Sequence, residues 1–339
     1  RMIMITGIYP PEKCGVGDYT YNLIHTNSAK DWKLLYFKDW SIKALRHIIK
    51  TINSYDDEWI CLQYPCVGFN KHITAELLCL YYGIFYKKKK LCVAVHEYSQ
   101  FAWKRRTLAN LIMISADKFI FTTQIERHNV TQRFKSIATK STVIKILSNI
   151  ASYAPDKQIS ERKYSIGYFG FISPNKGIEK YIEDISCVKK KCSNISAFIM
   201  GQIQAEQEEY ANRIINKAKE NGIETFINYE ADKVAEILSD TKFAYLPFPD
   251  GVSERRGSLL ACMSNGCAII STRGKYTTRE LEQSCIIVDE EDSVRKIEDV
   301  LTSKKETHEM LQNESTHYMK NLPKSWDEIA TKYNEFISC

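Results

Sequence analysis

The stretch Ser165-Ile166-Gly167-Tyr168-Phe169-Gly170-Phe171-Ile172-Ser173-Pro174-Asn175-Lys176-Gly177 contains a strand, a turn and the entry to a helix. Ser165–Phe169 is a short apolar run, and Gly170 ends it. From Gly177 to Val188 the apolar residues recur at helical spacing. A short apolar strand that feeds a helix through a glycine-containing turn is the repeating unit of a parallel sheet covered by helices on both faces.

The same alternation extends outward in both directions. Downstream, strands are predicted at Ser196–Met200, Thr225–Ile227, Phe243–Leu246, Ala268–Ser271 and Cys285–Val288. Helices at Gln207–Asn221, Asp232–Leu238 and Ser258–Ser264 lie between them, and more helices run to the end. Upstream, Ser152–Lys163 is polar, includes Pro155 and Asp156, and reads as a linker. Before it, strands at Met2–Thr6, Trp32–Phe37, Trp59–Gln63, Leu91–Val95 and Lys118–Thr123 alternate with helices at Tyr19–Thr26, Ile42–Ser54, His72–Tyr86 and Leu108–Ser115. The chain therefore reads as two doubly wound α/β domains in tandem, a division that suits its 339 residues.

Composition narrows the class. The chain is 44% hydrophobic and 26% charged, which excludes a disordered tail, a collagen-like chain and a disulfide-stapled miniprotein. A net charge of +6 from 47 basic and 41 acidic residues is mild, and no nucleic-acid-binding module accompanies it. The 11 cysteines form no CxxC unit; the closest pairs are Cys61/Cys66, Cys187/Cys192 and Cys262/Cys267. Reduced thiols in a cytoplasm fit this pattern better than a zinc site or a disulfide framework. The longest apolar run, Ala75–Tyr86, is well short of the ~20 residues that span a bilayer.

In open α/β sheets ligands bind beyond the carboxyl ends of the strands, so the segments that follow each strand carry the chemistry. After the first strand comes Tyr9-Pro10-Pro11-Glu12-Lys13-Cys14-Gly15-Val16-Gly17-Asp18-Tyr19. Its glycines permit close backbone approach at a helix N-terminus, which favours an anion. A dinucleotide fingerprint fits poorly: Gly15 comes eight positions after Gly7, and Thr20 stands where the third glycine belongs, although Asp39 is suitably distant for a ribose contact. A plain turn is the competing reading. His96-Glu97-Tyr98-Ser99 leaves the strand Leu91–Val95 and can face a ligand or simply serve structure. Lys176 just before a helix N-terminus combines a point charge with free N–H groups, a sound diphosphate site. Pro247-Phe248-Pro249-Asp250-Gly251-Val252-Ser253-Glu254-Arg255-Arg256-Gly257-Ser258 sets two arginines at another helix start, a second anion site, with a solvated charge cluster as the competing reading. Asp289-Glu290-Glu291-Asp292 reads as a solvated turn and not as a metal signature.

Taken in order, these segments resemble the retaining glycosyltransferases of GT-B architecture, the bacterial group called family 4. The resemblance rests on Pro10-Pro11 with Gly15-Val16-Gly17, on His96-Glu97, and on Gly170 with Ser173-Pro174-Asn175-Lys176-Gly177. It continues through Leu246-Pro247 to Gly266 with Ala268-Ile269-Ile270-Ser271-Thr272, and ends at Ser325-Trp326-Asp327-Glu328-Ile329-Ala330. It implies two Rossmann-like domains facing across a cleft: 1–151 binding acceptor, a linker at 152–163, 164–322 binding a nucleotide sugar, and a helix in 323–339 returning to the first domain. It also implies transfer of a sugar, with retention, from a nucleotide-diphosphate-sugar co-substrate. No other cofactor and no metal is called for.

By the same resemblance His96, Lys176, Arg256 and Glu254 are the catalytic candidates. Gly15, Val16, Gly17, Gly170, Ser173, Lys176, Asn228, Tyr229, Ser253, Arg255, Gly257, Ser258 and Leu259 are assigned to the donor, and Asp18, Glu97, Tyr98 and Trp103 to the acceptor. Two departures stand out. The family's glutamate pair before the Gly266 turn falls on Ser253 and Ala261 here, and its arginine after the first glycine falls on Phe171. Arg255 or Arg256 would supply the missing charge. Lys87-Lys88-Lys89-Lys90 after Tyr86, and Lys104-Arg105-Arg106 after Trp103, suit an anionic membrane surface, with a solvated positive face as the competing reading. A cytoplasmic enzyme at the inner face of the plasma membrane, acting on a lipid-linked or polysaccharide acceptor, is the resulting expectation. A catalytically inactive binding protein of the same fold and a dinucleotide-dependent oxidoreductase are the rival readings.

Overall fold

A computed structural model describes residues 1–12, 14–69, 72–153 and 157–339. Contacts divide the chain into two units, Arg1–Leu147 with Pro323–Cys339, and Ser148–Leu322.

In the first unit the strands are β1 (Met2–Thr6), β2 (Lys33–Tyr36), β3 (Trp59–Tyr64), β4 (Lys90–Val95), β5 (Lys118–Phe121) and β6 (Ser141–Val143). They form one parallel sheet in the order β2-β1-β3-β4-β5-β6. The helices are α1 (Gly15–Ile24), α2 (Leu45–Asn53), α3 (Thr74–Leu80), α4 (Trp103–Ser115) and α5 (Gln124–Arg133). The central strands β1 and β3 are buried along their whole length, as a sheet covered on both faces requires, while the edges β2 and β6 are partly exposed.

In the second unit the strands are β7 (Tyr164–Phe169), β8 (Ala197–Gly201), β9 (Glu224–Ile227), β10 (Thr241–Leu246), β11 (Ala268–Ser271) and β12 (Ile286–Ile287). Their order, β12-β11-β10-β7-β8-β9, is the doubly wound dinucleotide-binding order, with its reversal between β7 and β10. Its helices are α6 (Ile178–Lys191), α7 (Glu208–Glu220), α8 (Ala231–Ser239), α9 (Gly257–Ser264), α10 (Arg279–Ser284), α11 (Ser293–Leu301) and α12 (Lys305–His317). The reversal of the first sheet falls elsewhere, between β1 and β3.

The polar stretch 152–163 is part of the second unit and not a free connection. Ser152 Oγ donates to Ser264 O at 2.7 Å, and Tyr153 N to Asn265 Oδ1 at 2.8 Å. Arg162 is buried, and its Nη1 donates to Thr241 O, Asn265 O and Gly266 O at 2.9, 3.1 and 2.8 Å. A guanidinium there satisfies carbonyls at the C-terminus of α9, where the helix dipole favours a cation. Pro155 and Asp156 lie outside the described residues.

The last helix, α13 (Trp326–Ser338), completes the first unit. Ser325 caps it by accepting from Glu328 N at 3.1 Å. Ile329, Ala330 and Tyr333 are fully buried against Met2, Met4, Leu23 and Cys61. Ser28 N donates to Asp327 Oδ1 at 2.8 Å, and Trp32 Nε1 to Asn334 Oδ1 at 2.9 Å. At the centre the hydroxyls of Tyr19 and Tyr333 are 3.1 Å apart. Removing the Tyr333 ring leaves a cavity between α13 and the sheet. Tyr333→Ala is therefore expected to destabilise the first unit by about 3–5 kcal/mol, and Tyr333→Phe by about 1 kcal/mol. Denaturant unfolding of the full chain measures both; an unchanged transition in Tyr333→Ala refutes the docking of α13 as a stabilising contact.

Candidate functional site

At the reversal of the second sheet, β7 and β10 diverge and leave their carboxyl ends open. β7 leads into Gly170, whose N–H is held by Met200 O at 3.1 Å, then through Phe171 and Ser173 to Lys176. Asn175 and Gly177 both adopt left-handed backbone, at φ 61° and 83°. Gly177 has no alternative: a Cβ there would sit 1.9 Å from Pro247 O. It caps α6 and lets the turn pass directly against the segment that follows β10. The Tyr168 hydroxyl donates to Lys176 O at 3.1 Å and fixes the turn from below. Burial raises the pKa of that hydroxyl, and nearby Arg256 opposes the rise. Lys176 and Arg256 are thus carried to the same end of the sheet.

The segment after β10 is fastened to the one after β11. Thr272 Oγ1 donates to Phe248 O at 2.6 Å, Thr277 Oγ1 to Val252 O at 2.8 Å, and Val252 N to Thr272 O at 2.9 Å. This positions α9, whose first turn begins with exposed Gly257. The N–H groups of Gly257 and Ser258 have no intrahelical acceptor and face an anion favourably. Arg256 pairs with Asp250 and stacks over Phe248 at 4.5 Å. Arg255 lies over Tyr276 at 6.0 Å. Ser253 and Leu259 are buried. Glu254 is turned inward, accepting from the Tyr318 hydroxyl at 3.3 Å. Within this unit Lys176 and the Arg256-Gly257-Ser258 segment both follow the carboxyl ends of the neighbouring strands β7 and β10, while Leu259 and Glu254 face the core. Asn228 has φ 58°, and its Oδ1 accepts from Ile203 N at 2.9 Å; its amide therefore shapes the turn after β9, and Tyr229 beside it is exposed. Asp289–Asp292 is a closed turn, with Asp289 N donating to Asp292 Oδ1 at 2.9 Å and Lys296 paired to Asp292 at 2.8 Å.

At the reversal of the first sheet, Gly15, Val16, Gly17 and Asp18 form the first turn of α1, and Cys14 caps it. The Cys14 and Cys66 sulfurs are 4.0 Å apart. The hydrogen bond from Cys66 lowers the Cys14 pKa, and the N–H dipoles of Gly17, Val67 and Val16 add to the effect, so the proton of the pair stays on Cys66. Lys13 lies outside the described residues.

His96 follows β4, and its N–H donates to Tyr64 O at 2.7 Å. Its ring stands edge-on to Tyr19 at 4.9 Å between centroids, and Nε2 is 2.7 Å from Gln63 Oε1. Burial pulls its pKa from 6.5 down to about 4. Glu97 is half-buried at the start of the same loop. Tyr98 does not face outward: it sits in the core, 2.6 Å from the Asn110 amide, with Arg106 over its ring at 6.0 Å. Trp103 is 73% exposed at the start of α4. Glu126 of α5 was not singled out by the sequence. Its buried carboxylate accepts from Ser99 N at 2.9 Å and Ser99 Oγ at 2.7 Å, holding the loop that carries His96.

Two doubly wound units in one chain, with ligand-competent ends at each reversal, define the GT-B fold. Solved structures agree across nearly the whole length. Alr3699/HepE from Anabaena, solved with UDP and glucose, matches with a TM-score of 0.71 at 13% identity over 99% of both chains. OtsA in its apo form matches at 0.68 and 10% identity, covering 100% of this chain and 99% of that one. TarM from S. aureus, solved with Fondaparinux, alpha-GlcNAc-glycerol and UDP, gives 0.63 at 14% identity over 87% of this chain and 58% of its own. Residues 163–303, within the second unit, match the family described as glycosyl transferases group 1. No curated protein matches the chain.

The folded imidazole of His96 binds its proton more weakly than it would in the unfolded chain. Its contribution to stability is complete above about pH 6.5, falls as the pH drops toward 4, and amounts to about 3 kcal/mol. Urea unfolding between pH 7 and 4 is expected to show a steeper loss in wild type than in His96→Gln. Equal slopes rule out a neutral His96 with a lowered pKa.

Proposed function

We propose that the protein is a retaining glycosyltransferase that moves a sugar from a nucleotide-diphosphate donor to a lipid-linked or polysaccharide acceptor of a bacterial surface glycan. The observation that carries this reading is the Lys176-Gly177 turn packed against Pro247 at the reversal of a dinucleotide-order sheet. A leaving diphosphate develops negative charge as the glycosidic bond breaks. Lys176, Arg256 and the first-turn N–H groups of α9 are arranged to receive it, and fixed cations and dipoles can do this without a divalent ion. The solved relatives support the donor class, since HepE structures hold UDP and UDP-glucose. In this reading the second unit binds the nucleotide and diphosphate, the first unit binds the acceptor, and His96 reads a sugar hydroxyl.

The test is a panel of UDP-, GDP-, ADP- and CMP-sugars in EDTA, scored for binding and slow hydrolysis. One donor is expected to bind and turn over, and Lys176→Ala to lose about 10²–10³-fold in turnover. No binding by any sugar nucleotide at millimolar concentration overturns the reading in favour of an inactive binding protein.

A lipid-linked acceptor is supported by the surface of α3 and α4. The two helices pack side by side and run parallel: Arg105 reaches Glu76 at 3.1 Å near their starts, and Gly83 approaches Ser115 at their ends. A Cβ on Gly83 would meet Ser115 O at 2.1 Å, so glycine permits this approach. A π-helical turn, Tyr81–Phe85, extends α3. Ile73, Ile84, Phe85, Trp103 and Ile114 are exposed on this layer, with Phe85 at 77%. Lys87, Lys88 and Lys104 are exposed beside them. Lys89 and Lys90 do not join them: Lys89 is buried, donating to Tyr55 O and Asp57 O at 2.6 and 2.7 Å, and Lys90 pairs with Glu58 at 2.7 Å. Among the described residues no helix is long and apolar enough to cross a membrane. An apolar layer rimmed by cations suits docking onto anionic lipid. The protein is expected to float with vesicles containing phosphatidylglycerol and not with pure phosphatidylcholine. The double variant Phe85→Asp, Trp103→Asp should lose that binding. Equal flotation of variant and wild type refutes the surface.

A further inference from the structure

We propose that Gln63 is a positioning residue that holds His96 as the Nε2–H tautomer and so presents Nδ1 as a bare hydrogen-bond acceptor. The inference rests on the proposed function only in taking the ligand at Nδ1 to be a substrate hydroxyl; the tautomer follows from the local geometry alone.

Gln63 carries the one amide side chain of β3, and the sheet buries it completely, at 0% exposure. A buried amide must place both its ends. Its Nε2 is 2.8 Å from Met4 Sδ and 3.8 Å from Cys61 Sγ. A thioether can only accept, so the amide nitrogen belongs on the Met4 side. The carbonyl Oε1 then faces His96 Nε2 at 2.7 Å. A carbonyl can only accept as well, so the hydrogen between them is carried by the imidazole. Burial keeps the ring neutral over the physiological range. A neutral imidazole protonated at Nε2 has a lone pair at Nδ1. Among the described residues no hydrogen bond reaches that nitrogen, and it is not among the buried polar atoms that lack a partner.

The ring cannot easily rotate away from this arrangement. Tyr19 stands against it at 4.9 Å, and the backbone is tied on both sides, His96 N to Tyr64 O at 2.7 Å and Thr122 Oγ1 to His96 O at 3.5 Å. Met4, Cys61 and Gln63 thus form a sulfur-floored seat whose effect is felt one residue beyond β4, at the end of the sheet where ligands of this fold class bind. The chemistry of Nδ1 follows. A lone pair accepts from a hydroxyl and repels an oxyanion, so His96 reads a neutral hydroxyl donor and contributes nothing to a phosphate.

The test begins on wild type and needs no substrate. Two-bond ¹⁵N–¹H correlation of ¹⁵N-histidine protein, with His96 assigned by its loss in His96→Gln, distinguishes the two neutral tautomers. The Nε2–H pattern is expected in wild type. Gln63→Leu is expected to lose that single pattern. Gln63→Glu keeps an acceptor against Nε2, so it should retain the Nε2 hydrogen and raise the His96 titration by about one to three pH units. Wild type with its hydrogen on Nδ1 overturns the proposal, as does Gln63→Leu with an unchanged Nε2–H pattern. If a donor is found, kcat/KM of Gln63→Leu should fall at least tenfold, with Gln63→Glu recovering part of it above its new titration point. A correct tautomer in a protein that turns over no sugar nucleotide would leave this inference standing and remove the proposed function instead.

Discussion

The hydroxyls of Tyr19 and Tyr333, 3.1 Å apart and out of reach of water, tie together parts of the chain more than three hundred residues apart. Tyr19 belongs to the helix that opens with the Gly15–Gly17 turn, and Tyr333 to the last helix. The Tyr19 ring meets His96 at 4.9 Å on one edge and Trp326 at 5.2 Å on another. The orientation of His96, the path of the glycine turn and the seat of the final helix are therefore one packing problem. A hydroxyl pair in an apolar layer is tolerated because each partner satisfies the other; either alone would leave a buried polar group. Much of what makes the first unit capable of function depends on this contact, although neither tyrosine need touch a ligand.

The second unit solves a different problem, the placing of positive charge beyond the carboxyl ends of its strands. Lys176 follows a residue forced into left-handed backbone and precedes a glycine that no side chain could replace without colliding with Pro247. Arg256 is offset by Asp250 and flattened on Phe248, which keeps its guanidinium oriented instead of fully solvated. Two helix N-termini, those of α6 and α9, open beside these side chains. At the two positions where the resemblance calls for glutamates, Ser253 is buried and Ala261 lies buried inside α9.

What could be read from the sequence followed the strength of its periodicity. The central strands, each a short apolar run, and the restart of the pattern after residue 163 are plain because both faces of a parallel sheet demand apolar residues. The turn at Gly170–Gly177 is plain because glycine, proline and asparagine have few other uses there. The losses have physical causes. α5, Gln124–Arg133, is almost wholly polar; its buried residues are Glu126 and Val130, and no hydrophobic pattern announces it. β6 is three residues with one apolar side chain. The first turn of α4, Trp103-Lys104-Arg105-Arg106, is a charge cluster, and the helical pattern of the sequence starts only at Leu108. Arg162 lay in a stretch whose polarity suggested a linker, because sequence cannot show that three carbonyls converge on one guanidinium. Tyr98 was read by its position after a strand, and the core claimed it instead. Gln63 did leave a signal, an amide closing an otherwise apolar strand, but only the sulfurs around it show what that amide does.

The seat of α13 also orders events at the ribosome. The strands of the first unit are made first, yet the apolar face formed by Met2, Met4, Leu23 and Trp32 has no cover until residues 326–338 emerge. The whole of Ser148–Leu322 is synthesised in the interval and holds a core of its own. Vectorial synthesis usually favours the N-terminal domain. Here the unit begun first is the unit closed last, and a nascent chain paused short of Trp326 presents an open greasy sheet to chaperones while its second half is already sealed.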